Sequence, residues 1–159
     1  MKRLFFSILL LTTTLFVQAK ISNHAIGLRF GGSNSTNTEI SYQHAFSSLN
    51  RVELDLGIHG NNNFNAWSIT GTYQWVWPIE KGFSWYAGPG AQLGTWSWKD
   101  KYTGNGDDGL WISIVGQIGI EYQFDIPLQI SLDARPTIGL VNSFDNLDVP
   151  LGIAVRYTF

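Results

Sequence analysis

The sequence predicts an all-β protein, an eight-stranded antiparallel barrel whose strands run up and down and close on themselves. Two observations in the chain itself lead there. Eight segments alternate apolar and polar residues with a period of two, as strands with two unlike faces do, and no helical periodicity competes. The connections between them alternate short and long, which puts all the tight turns at one end, as in a meander. Composition agrees. The 159 residues suit one domain, with 44% hydrophobic, 14% aromatic and only 14% charged side chains and 17 glycines. That balance excludes intrinsic disorder, coiled coil and collagen. Zero cysteines exclude a disulfide framework and thiolate-bound zinc, and a net charge of −2 leaves no footprint for nucleic acid.

Residues 1–19 read as an export signal rather than as part of the fold. Lys2 and Arg3 form a positive start, Leu4–Val17 is an apolar run, and Val17-Gln18-Ala19 supplies a small-residue cleavage pattern. The run falls short of the ~20 residues a helical span needs. The barrel domain is therefore expected over 20–159.

The first strand, near 25–31, sets Ile26, Leu28 and Phe30 against Gly27 and Arg29. The second, near 38–46, opposes Ile40, Tyr42, His44 and Phe46 to Glu39, Ser41, Gln43 and Ala45. The third, near 51–59, is the most regular: Val52, Leu54, Leu56 and Ile58 alternate with Arg51, Glu53, Asp55, Gly57 and His59. In the fourth, near 66–77, Trp67, Ile69, Tyr73, Trp75 and Trp77 oppose Ser68, Thr70, Thr72 and Gln74.

The fifth strand, near 83–98, is the least regular, because Gly88-Pro89-Gly90 interrupts it and suggests a bulge. Its faces are Phe83, Trp85, Ala87, Ala91 and Leu93 against Ser84, Tyr86, Gly88, Gly90, Gln92 and Gly94. The sixth, near 110–124, opposes Ile112, Ile114, Ile118, Ile120, Tyr122 and Phe124 to Ser113, Gln117, Gly119, Glu121 and Gln123. The seventh, near 128–141, opposes Leu128, Ile130, Leu132, Ala134 and Ile138 to Gln129, Ser131, Asp133, Arg135 and Thr137. The eighth, near 148–159, sets Val149, Leu151, Ile153, Val155, Tyr157 and Phe159 against Asp148, Gly152, Ala154, Arg156 and Thr158. Pro136 and Pro150 lie inside these last two and lack a ladder donor. Short connections at Ser47–Asn50, Ile79–Gly82 and Asp125–Pro127 alternate with longer polar ones at Gly32–Asn37, Asn61–Asn65, Lys99–Gly109 and Asn142–Leu147.

Alternation alone does not say which face is wet. A soluble barrel turns the apolar face inward, and a transmembrane barrel turns it outward to lipid. Aromatics decide for lipid. Phe46, Trp75, Trp77, Phe83, Trp85, Tyr122, Phe124, Tyr157 and Phe159 flank the short-turn end, and Phe30, Phe64, Trp67, Trp96, Trp98 and Trp111 the other. Two aromatic girdles around an aliphatic band are what two membrane interfaces select. The polar face is mostly Gly, Ser, Thr and Gln, and no lysine lies in a strand middle, unlike the exterior of a soluble barrel. A mean hydropathy of −0.01 hides this, since an average cannot see alternate residues.

The pattern Leu151-x-Ile153-x-Val155-x-Tyr157-x-Phe159 resembles the C-terminal strand by which bacterial outer-membrane proteins are recognised for assembly, with Val155, Tyr157 and Phe159 as the signal. The architecture of the whole mature chain resembles the small OmpA/OmpX-type outer-membrane β-barrel domain of Gram-negative bacteria. The resemblance implies a bacterial outer-membrane location and contact with outer-membrane lipid and lipopolysaccharide. It further implies handling by the assembly machinery, a monomer, no cofactor, and a structural or surface-interaction role.

The inward charges would be Arg29, Glu39, Arg51, Glu53, Asp55, Glu121, Asp133, Arg135 and Arg156. In a confined lumen they should pair, because an unpaired buried charge is expensive. Placing Leu140 opposite Val149 would set Asp133 against Arg156. A large pore does not fit eight strands, since aqueous channels come with about 16. Glu53 and Asp55 share a face only because a strand has period two, and a filled lumen admits no polysaccharide. The other function class is a lipid A-modifying enzyme, a deacylase or acyltransferase. Deacylases of this size carry His-x-Ser, whereas His44 is followed by Ala45 and Phe46. His59 would face Ser68 across a hairpin, without an evident third group to complete a triad. Asp107 and Asp108 lack calcium-loop spacing, so no metal or cofactor is expected.

Overall fold

A computed structural model describes residues 21–32, 37–60, 64–98, 109–142 and 147–159, with the side chains of residues 59, 60, 64 and 98 left aside. Residues 1–19, the expected export signal, and most of each long connection lie outside them. The strands are β1 (His24–Gly32), β2 (Asn37–Ala45), β3 (Asn50–Gly60), β4 (Phe64–Glu80), β5 (Phe83–Trp98), β6 (Gly109–Gln123), β7 (Leu128–Ala134), β8 (Thr137–Val141) and β9 (Leu151–Thr158). Consecutive strands pair antiparallel from β1 to β6. β6 pairs with β7, β7 with β9, and β9 with β1, so the sheet closes. β8 continues β7 along β6, and the two together make one of eight barrel strands. No helix occurs among the described residues.

Burial is inverted relative to a soluble domain. The buried set is polar, from Arg29 and Ser41 through Gln74 and Gln117 to Arg156, while Ile58 (71% exposed), Leu132, Ile153 and their outward neighbours stand in the open. On β9 the two faces alternate without a break from Leu151 to Thr158. The short-turn end is tight. Lys81 and Gly82 both have positive φ, as a primed two-residue hairpin turn requires, after a register shift between Pro78 and Glu80. A Cβ on Gly82 would meet the Gln123 carbonyl oxygen at 2.5 Å, so the turn needs glycine twice over.

Several expectations need correction. Pro89 makes no bulge. β5 runs in one register along β6 from Phe83↔Tyr122 to Trp96↔Gly109, with Pro89 opposite Gly116, and resumes its register with β4 on either side. The Pro89 ring points outward, and the missing N–H shows as a gap in the β4 ladder, which skips from Thr72↔Gly90 to Trp75↔Ala87. Pro136 and Pro150 interrupt the seventh and eighth segments, but the register also holds across them: Ala134 pairs with Leu151 and Thr137 bridges Asp148. Arg135 N–H donates to the Pro150 carbonyl at 2.9 Å in the gap.

Two hairpin registers differ from expectation. Asp133 lies opposite Gly152, and Arg156 opposite Gln129, so Asp133 does not face Arg156. Ser68 lies opposite Gly57, and His59 opposite Ala66, so Ser68 does not face His59. Both differences are even numbers of residues, which leave every side chain on its expected face.

Finally, Trp96 and Trp111 are not outward girdle residues. They sit on the inward face beside Gly94 and Ser113, each lying over a cross-strand glycine: Trp111 over Gly94, Trp96 over Gly109. Among the other loop-end aromatics, Phe30 and Trp67 face outward.

Candidate functional site: the charged lumen

The inward faces of β1, β2, β3, β6, β7 and β9 bring the charges together. Arg29 on β1 grips Asp133 on β7 through Nε (3.1 Å to Oδ2) and Nη2 (2.6 Å to Oδ1), and donates through Nη1 to Glu39 Oε2 at 3.1 Å. Room for that guanidinium comes from Gly152, whose added Cβ would stand 2.4 Å from Arg29 Nη2. Arg135, between β7 and β8, donates to the same Glu39 oxygen at 3.0 Å, to Glu53 Oε1 at 3.3 Å and to Asp55 Oδ2. Arg156 on β9, fully buried, spreads its guanidinium over Ser41 Oγ, Ser131 Oγ and Glu53 Oε2, each at 2.9 Å.

Glu53 is the hub. Besides Arg135 and Arg156 it accepts from Gln43 Nε2 at 2.6 Å, Gln117 Nε2 at 3.0 Å and Gln74 Nε2 at 3.2 Å. Arg51 forms a separate two-pronged pair with Glu121 (2.9 and 2.6 Å), donates to Gln74 Oε1 at 2.6 Å, and lies 4.8 Å above the Tyr86 ring. Fork-to-carboxylate pairing is the strongest arrangement open to these groups. Several of the links join strands that are not neighbours: β3 to β6 through Arg51–Glu121, and β9 to β3 through Arg156–Glu53. They therefore run across the lumen rather than along its wall.

Residue spacing does not single out the amides and hydroxyls that complete this network. Gln43, Gln74, Gln117, Ser41 and Ser131 look like ordinary polar-face residues, and only the closed barrel shows which carboxylate each one serves. Tyr86 is similar. It lies inward opposite Gly119, where an added Cβ would meet its ring at 2.5 Å.

Chemically, every arginine in the lumen meets a carboxylate and every carboxylate an arginine, with Asp55 Oδ1 and Arg135 Nε the buried charged-group atoms among the described residues left without a hydrogen-bond partner. Among the described residues no group of three or more His, Asp or Glu side chains has the arrangement of a metal site. Ser68 is buried in the lumen, 1% exposed, out of reach of a lipid acyl chain. The side chain of His59 lies outside the described set.

The expected short-turn aromatics occupy the outer rim. Phe46, Trp75, Trp77, Phe83, Trp85, Tyr157 and Phe159 are exposed, with Tyr122 and Phe124 half-buried beside them. Trp77 stacks on Trp85 at 4.2 Å between ring centres, Phe83 tilts against Tyr122 at 4.5 Å, and Tyr122 meets Phe124 edge-on at 4.6 Å. On the last strand, Val155 pairs with Leu28 of β1 and Ile130 of β7, and Tyr157 with Ile26 and Leu128.

No protein-family model and no curated protein sequence matches the chain. Solved structures do. The N-terminal β-barrel domain of Pseudomonas aeruginosa OprF superposes with a TM-score of 0.72 at 11% identity, over 87% of this chain and 98% of that one. Outer membrane protein H (OprH) of P. aeruginosa gives 0.69 at 15% identity, over 87% and 100%. Ail, the attachment invasion locus protein of Yersinia pestis, gives 0.61 at 15% identity, over 87% and 97%. With its polar lumen, apolar outer band and closed antiparallel ring of eight strands, the chain has the fold of the small bacterial outer-membrane β-barrels.

Proposed function

We propose that this protein is a non-enzymatic resident of the bacterial outer membrane, a filled barrel that displays its long connections outward for structural or surface-interaction work. The observation that carries the reading is the lumen: ion pairs cross it between non-neighbouring strands, leaving the interior occupied by its own side chains. A barrel built this way is a stable peg, and the long polar connections Gly32–Asn37, Asn61–Asn65, Lys99–Gly109 and Asn142–Leu147 are the segments assigned to engaging a partner. Its immediate partners are outer-membrane lipid and lipopolysaccharide along the aliphatic band. The C-terminal strand, with Val155, Tyr157 and Phe159 outward, is the handle for the assembly machinery, and the protein works as a monomer. The charges Arg29, Glu39, Glu53, Asp55, Glu121, Asp133, Arg135 and Arg156 hold the barrel shut and do no chemistry. One of the similar barrels is by its name an attachment protein, which is compatible with a surface role.

Impermeant thiol reagents applied to intact cells test the topology. Single cysteines placed in the Lys99–Gly109 and Asn142–Leu147 connections should react, and one placed at Ser48 in a short turn should not. In planar bilayers the protein should give none of the large steady conductance of a porin. Mass spectrometry of lipid A from cells with and without the protein should give one acyl pattern. A changed pattern would replace this reading with lipid A modification.

A further inference from the structure

At the short-turn rim, on the outward face, two histidines meet. His24 on β1 pairs directly with His44 on β2, and Tyr42 lies two residues along the same face. His24 Nδ1 is 2.9 Å from the Tyr42 hydroxyl and 3.3 Å from His44 Nδ1. This is an unusual arrangement for a hydrogen-bond network. A neutral imidazole nitrogen carries either one proton or one lone pair, so His24 Nδ1 has a single bonding direction to share between two partners.

A metal ion resolves that conflict. On a tetrahedral ion with bonds of about 2.0–2.1 Å, two imidazole nitrogens lie roughly 3.3 Å apart, the spacing found here. Imidazole nitrogens suit Zn2+ and Cu2+, whereas magnesium and calcium prefer all-oxygen sites. The surroundings hold the ligands still. The His24 ring stacks on Phe159 at 5.3 Å, and Phe46 meets the His44 ring edge-on at 5.0 Å. Both histidines sit on paired strands next to the closing seam, where Phe159 N–H donates to the His24 carbonyl at 2.9 Å. Both histidines are half-buried rather than sealed.

We propose that His24 and His44, through Nδ1, form a binding site for a divalent transition-metal ion of the Zn2+/Cu2+ class, with the Tyr42 oxygen beside it and water completing the shell. Each ring then takes the Nε2–H tautomer, so the ion replaces the shared proton between the two nitrogens without either ring becoming charged. The site belongs to the outer rim and is independent of the lumen network.

The test uses the untagged, folded barrel in phospholipid nanodiscs, titrated calorimetrically with Zn2+. One ion per chain is expected. His24→Phe and His44→Phe, which keep the ring packing, should each weaken binding about tenfold or more. Tyr42→Phe should weaken it less, and His59→Ala should leave it unchanged. With Cu2+ as the probe, electron paramagnetic resonance should show coupling to two nitrogens in the wild type and to one in His44→Phe. Circular dichroism of each variant checks that the barrel is intact. Absence of Zn2+ binding to the wild type, binding of equal strength in a His24→Phe/His44→Phe double variant, or loss of binding in His59→Ala would each overturn the proposal.

Discussion

On one side of the lumen, along β1–β3, β7 and β9, long charged side chains reach from strand to distant strand: Arg29 to Asp133, Arg135 to Glu39 and Asp55, Arg156 to Glu53. Along the β5–β6 seam the interior is filled differently. Three rings each lie over the glycine directly opposite on the neighbouring strand: Tyr86 over Gly119, Trp111 over Gly94, Trp96 over Gly109. The charged side ties non-adjacent strands, so it resists shear and collapse of the ring. The seam closes space between adjacent strands with large apolar plates, and glycine is what lets a plate lie flat inside so narrow a barrel. Arg51 joins the two, with its fork on Glu121 and its face over Tyr86.

The largest expected effect tests the charged side. Glu53→Ala removes the acceptor shared by two buried arginines and three glutamines, and should cost about 3–5 kcal/mol in urea unfolding from lipid vesicles. A loss below 1 kcal/mol would mean that the hub is not a hub. Leu54→Arg, next door on the outward face and 48% exposed, gives the lipid-side counterpart. Near the midplane it should cost about 2–4 kcal/mol, by the same measurement in a bilayer.

Arg51→Lys keeps the charge but loses the two-pronged bond to Glu121, and about 1.5–3 kcal/mol is expected to go with it. If the loss vanishes in a Glu121→Gln background, the pair carries the effect. For the seam, Gly109→Ala places a Cβ 2.1 Å from the Trp96 ring and should cost about 1–3 kcal/mol. Repeating it in Trp96→Leu should recover most of that, a coupling of about 0.5–3 kcal/mol in a double-mutant cycle. Additive costs would mean the ring and the glycine do not form a unit.

The registers explain how far the sequence could be read. Leu54, Leu56 and Ile58 alternating with Glu53, Asp55 and Gly57 state which face each residue takes, and on β3 and β9 the structure has those faces. Alternation defines a register only up to an even slip, however, because moving a strand by two or four residues changes no face. That is why Asp133 lies opposite Gly152 rather than Arg156, and Ser68 opposite Gly57 rather than His59. Pro89 misled for a related reason. A missing donor suggests a broken ladder, yet the register on both sides of it is held by the long pairing of β5 with β6. For Trp96 and Trp111, a position near a strand end suggested a membrane interface, while their own parity with Gly94 and Ser113 placed them inside.

What the amino-acid sequence determined by itself is two-sidedness. Period-two alternation, scarce charge and aromatics sorted toward strand ends depend only on each residue and its near neighbours, and they suffice for an eight-stranded barrel turned apolar side out. Partnership was decided by the tertiary structure. Which arginine meets which carboxylate, which ring covers which glycine, and that His24 meets His44 all depend on the stagger between strands at closure. That stagger is a property of the whole ring, set when β1 meets β9, and no single strand carries it.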